Sequence, residues 1–130
     1  MTTDIKKLEK WLKKKSFSII FDKNVYDYID FELNTIFIRS TLSNDSKVAG
    51  ILHECGHLFE RLNENFNEML PTINRIKRKN SLRCYIETLT DEIIAWQIGE
   101  QLIGELKLKI KVEKYRRLRD VNIKTYIALS

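Results

Sequence analysis

The chain has 130 residues, of which 43% are hydrophobic and 32% charged, with one proline and four glycines; this composition excludes a disordered tail, a collagen-like repeat and a flexible linker, and its length is that of a single domain over 1–130. The formal net charge is +5, yet the basic residues, concentrated at 6–15, 75–83 and 107–124, are interleaved with apolar ones at helical spacing, so solvated helix faces are expected rather than a nucleic-acid surface. No run of about 18 apolar residues occurs, residues 1–15 lack the apolar core of a signal peptide, and two cysteines are too few for a disulfide framework, so a cytoplasmic protein without a membrane partner is expected.

Along the chain, Ile5, Leu8, Trp11 and Leu12 recur every three or four residues among lysines, which predicts an amphipathic helix over 4–15. Three short segments rich in Ile, Val, Phe and Tyr follow at 16–21, 25–31 and 34–39, separated by polar residues, and predict a small antiparallel meander. The small polar side chains of 41–46 can cap a first helical turn, so a helix is expected from there to about 63. Pro71 and several asparagines mark 64–80 as a loop with one short helical stretch. Leu82, Tyr85, Ile86, Leu89, Ile93, Trp96 and Ile103 describe a long helix over 81–106, and Val112, Tyr115, Leu118, Ile123, Tyr126 and Ile127 a last one over 111–129. The sum is an α+β fold, a small sheet of about three strands beside several helices.

The second predicted helix contains His53-Glu54-Cys55-Gly56-His57, an H-E-x-x-H match that uses both histidines of the chain. With two histidines and eleven glutamates at random positions, the pattern would arise roughly once in a thousand shuffles. Residues four apart on a helix stand on one face, close enough for two imidazoles to close around one Zn²⁺, and Glu54 on the flank can act as general base toward a water there. Val48, Ile51, Leu52, Cys55, Phe59 and Leu62 make one apolar face; His53 and His57 fall nearly opposite it, so they are either ligands or a solvated surface pair. Cys55 reads as a small buried hydrophobe and Gly56 as a point of close packing.

A catalytic zinc site normally has three protein ligands, and Glu60, about 10.5 Å along the helix from His53, is too far to join both histidines on one ion. With no histidine left, the third ligand is expected to be a carboxylate of the long helix, Glu92 or Glu87, and Asp91 is a candidate for the acceptor that orients a ligand histidine. Cys84, Thr88, Ala95 and Gly99 form a stripe of small residues in which Glu92 sits, and a glutamate in a close-packed stripe needs a charged partner. That favours Glu92, while Glu87-x-x-x-Asp91 resembles the third-ligand pattern of thermolysin-like enzymes.

From these residues the sequence resembles a small gluzincin-type metallopeptidase of the ImmA/IrrE-like group, found in bacteria, phages and mobile elements; the resemblance covers most of 17–103. It rests on the short strands ending at 34–39, the polar turn before the helix, the His53–His57 motif where the group usually has H-E-L-G-H, and Asp91-Glu92-Ile93-Ile94-Ala95-Trp96, where the family has a glutamate followed three residues later by alanine. It implies a zincin-like fold, one zinc per chain held by His53, His57 and Glu92, Glu54 as catalytic base, and a protein substrate, with transcriptional repressors as the associated class. It also implies that the strand 34–39 is the sheet edge beside the active-site helix, where an extended peptide can pair. Tyr85, Tyr115 and Tyr126 are the candidates for a transition-state donor. The alternative to a zinc-dependent peptidase is a non-catalytic, metal-stabilised module that binds a protein or nucleic acid.

Overall fold

The computed structural model describes residues 2–62 and 82–128. Helix α1 (Thr3–Lys13) is capped by Thr2, whose hydroxyl accepts the Ile5 amide at 3.4 Å, and it buries Ile5, Leu8 and Leu12 on one face. Asp4 is buried beside them, and its carboxylate accepts the amides of Lys109 at 2.7 Å and Ile110 at 2.9 Å, so the charge is satisfied and the start of α1 is tied to a segment more than a hundred residues away. Ser16, at φ 63°, turns the chain out of the helix.

The three strands are β1 (Ser18–Asp22), β2 (Tyr28–Asp30) and β3 (Thr35–Arg39), in the order β1-β3-β2. β2 and β3 pair antiparallel, with Ile29 opposite Ile36, whereas β1 and β3 pair parallel, with Ile19 opposite Ile36. The sheet is therefore mixed and not the antiparallel meander expected. β3 is its central strand and not its edge. The reason lies in burial: Thr35, Ile36 and Ile38 are all buried, and the most apolar strand gains most by taking a neighbour on both sides. The edge beside the next helix is β2, flanked by the exposed Tyr26 and carrying the exposed Tyr28.

Helix α2 (Asn44–Leu62) starts after Ser43, whose hydroxyl accepts the Ser46 amide at 3.3 Å. Val48, Ile51, Leu52 and Cys55 face the core as the wheel predicts, but Phe59 and Leu62 are exposed and Leu58 is buried instead. The opposite side is covered by helix α3 (Leu82–Glu105), so α2 is buried on two faces. The approach is close: a Cβ on Gly56 would land on the Ala95 carbonyl, and one on Gly99 would meet the Tyr115 hydroxyl and the Leu52 carbonyl. Ala95 and Gly99 thus do mark the helix contact that the small-residue stripe predicts. Helix α4 (Val112–Ala128) closes the bundle through Tyr115, fully buried, whose hydroxyl donates to the Trp96 carbonyl at 2.7 Å.

Among the described residues, four helices and a three-stranded mixed sheet make the architecture α+β. Among the described residues no helix is long and apolar enough to cross a membrane. The loop expected over 64–80 and the side chain of Cys84 lie outside the described residues.

Candidate metal centre

His53 and His57 stand one turn apart on α2, and the glycine between them, Gly56, lets the backbone of α3 come within contact at Ala95. Glu92, three residues before Ala95, is carried by that approach onto the histidine pair. Its Oε2 lies 2.7 Å from His53 Nε2, its Oε1 3.1 Å from His57 Nε2, and the two Nε2 atoms are 3.1 Å apart. Two imidazole nitrogens and a carboxylate oxygen at these separations fit a small divalent cation, since ligands about 2.0–2.1 Å from a tetrahedral ion stand about 3.3 Å from one another. These three residues can therefore hold a metal ion. The histidines are mostly covered, with side-chain exposures of 12% and 17%, so they are not a solvated surface pair.

The electrostatics follow from the crowding. Burial works against the Glu92 carboxylate, but hydrogen bonds to His53 and His57 and their charges outweigh it and hold its pKa down at about 2. Burial likewise works against a charged His57, and Glu92, Glu54 and Asp91 outweigh it, so His57 is raised above its ordinary value. Glu54 is buried, with Oε2 3.5 Å from His53 Nδ1; burial pushes its carboxyl above the usual range despite the lowering effect of both histidines. The His53 ring stacks on Trp96, with centroids 4.5 Å apart at 9°, which fixes the plane of the imidazole.

A second group sits on the far nitrogen of His57: Nδ1 is 3.7 Å from Asp91 Oδ2 and 3.8 Å from Glu60 Oε1. Asp91 thus lies where the sequence suggests an orienting acceptor. Glu60 is buried, it shares a cluster with His57 and Asp91 but not with His53, and burial together with the adjacent Asp91 carboxyl holds its proton on well above the usual range.

The structure brings together His53, His57, Glu54, Glu92 and Asp91. Glu87, the other candidate ligand, belongs to neither cluster of potential metal ligands. Cys55 is fully buried and outside both clusters, and burial pushes its thiol pKa up, as suits a core residue. Tyr115 is spent as a core donor to Trp96, and Tyr85 and Tyr126 stack on each other with centroids 6.0 Å apart. Sequence reasoning missed Asp27, in the link between β1 and β2. One of its oxygens accepts the Arg39 amide at 2.9 Å, the other lies against Gly50 of α2, and its charge is felt by His53 and Glu54. The available signal was Gly50 itself, a helix-interior glycine one turn ahead of the motif. Trp96 had one too: it stands four residues after Glu92, on the same side of α3.

Comparisons of the chain with protein-family models, with curated proteins and with solved structures find no match.

Proposed function

We propose that the protein is a zinc-dependent metallopeptidase that hydrolyses a peptide bond of a protein substrate, in the manner of the ImmA/IrrE-like group its motifs resemble. The observation that carries this reading is the convergence of His53 Nε2, His57 Nε2 and the Glu92 carboxylate within 3.1 Å of one another, with the buried Glu54 carboxyl beside them. Two nitrogens and one oxygen are the donor set of a catalytic zinc site that leaves a position open. A zinc ion held there supplies Lewis-acid polarisation of a carbonyl and makes a water acidic near neutral pH. Glu54, its pKa raised by burial, takes the proton from the attacking water and passes it to the amide nitrogen as the C–N bond breaks. Trp96 packs flat on the His53 ring, and Asp91 stands as a charge partner 3.7 Å from His57 Nδ1. An extended peptide can add to the outer edge of β2, which carries no strand among the described residues and lies beside α2, with Tyr26 and Tyr28 as apolar contacts. By the resemblance, a transcriptional repressor is the substrate.

The test is the isosteric variant Glu54→Gln, assayed on a peptide library with zinc content measured in parallel. Zinc is retained and cleavage falls by about 10²–10⁴-fold. Cleavage at the wild-type rate removes Glu54 from the mechanism, and a wild type that cleaves nothing while holding zinc and binding a protein partner replaces the peptidase with a binding module.

A further inference from the structure

We infer that the protein has a second ligand site, separate from the metal centre: a cavity that takes a small phosphorylated molecule of nucleoside-diphosphate size. The cavity, of about 680 Å³, lies between the starts of α1 and α2 and under the segment that leads into α4. Four cationic side chains line it: Lys109, Lys111, Lys114 and Arg117. None of them has an ion pair among the described residues, whereas Arg116 and Arg119, on other sides of the same helix, pair with Glu100 and Asp120 at 2.8 Å. Of the two carboxylates in the wall, Asp4 is engaged by the Lys109 and Ile110 amides, which leaves Asp45 as the one free acid against four cations. The Asp4 bonds also fix the backbone that carries Lys109 and Lys111, so these positions belong to a pinned segment.

The four charges border one open depression at the surface, where their potentials add. The volume falls within the roughly 300–1,000 Å³ of small-ligand sites, and the charge calls for a ligand with two or more negative oxygens, which phosphoryl groups supply. Asp45 precedes His53 by eight residues, about 12 Å along α2, so the cavity and the metal centre are distinct.

The test is a calorimetric titration of ADP into the full chain, kept metal-free with EDTA. ADP binds saturably with one site per chain, pyrophosphate displaces it, and Lys114→Glu and Arg117→Glu each weaken it by about tenfold or more. Lys14→Glu, an identical charge change at the exposed end of α1 outside the cavity, leaves binding within about twofold. Both cavity residues are at the surface, and circular dichroism checks that their variants keep the wild-type helicity. No saturable binding, equal binding by adenosine, or equal loss in Lys14→Glu overturns the proposal. So does a duplex RNA that binds through Lys114 and Arg117 while ADP does not.

Discussion

Glu92 is the residue on which the candidate metal centre turns, because among the described residues it alone joins α3 to the two histidines of α2 through ionisable groups less than 3.2 Å apart. Its folded-state pKa of about 2 lies below its ordinary value of 4.5, so the pairing contributes stability that is fully present above pH 4.5 and is lost as pH falls through about 2. In the metal-free protein, Glu92→Gln therefore costs about 2 kcal/mol near neutrality and little at about pH 2, measured as the difference between wild-type and variant urea unfolding across that range. A difference independent of pH would mean that Glu92 is not ionised against the histidines. Glu92 was legible in the sequence because the stripe of Ala95 and Gly99 says which side of α3 meets another helix. Asp27 was not, since a loop aspartate has no periodicity, and its role comes from a contact with Gly50 made only when the sheet packs on α2.

The two glycines Gly56 and Gly104 separate tertiary contact from helix propensity, because alanine is the better helix former at both. At Gly104 nothing lies within 4 Å of an added Cβ, so Gly104→Ala stabilises by about 0.5–1 kcal/mol. At Gly56 the added methyl meets the Ala95 backbone, which cannot rotate away, so Gly56→Ala destabilises by about 1–3 kcal/mol and separates the ligands on α2 from Glu92 on α3. Thermal unfolding of the two variants reads both signs, and zinc affinity falls in the Gly56 variant only. Equal shifts would show that α2 and α3 do not touch there. At this scale the helices were readable from their 3.6-residue period, and the three strands from composition. Strand order was not, because alternation says which face of a strand is apolar but nothing about its neighbours. β3 takes the centre because its burial on both faces outweighs the local preference for pairing consecutive strands.

Across the whole molecule, one chain of contacts links the far helix to the site. Tyr115 of α4 donates to the Trp96 carbonyl, Trp96 stacks on His53, and His53 meets Glu92. The contacts run through three helices, so an ion bound at the candidate site stabilises the bundle as a unit. A hundredfold excess of zinc over its Kd raises unfolding free energy by roughly 3 kcal/mol, an increment that disappears in His57→Ala. A comparable increment in that variant would locate the zinc elsewhere. The histidine pair and its glutamate were visible in the linear sequence because a helix turns spacing directly into proximity. The basic cavity was not, since Lys109 to Arg117 read as one more solvated face until Asp4 is seen to fold them over the starts of α1 and α2. The most direct test of the metal centre is zinc stoichiometry, measured by elemental mass spectrometry on the purified wild type, Glu92→Ala and Glu87→Ala. One zinc per chain in the wild type and in Glu87→Ala, and none in Glu92→Ala, is the expected result; zinc kept by Glu92→Ala, or absent from all three after zinc is added back, would contradict it.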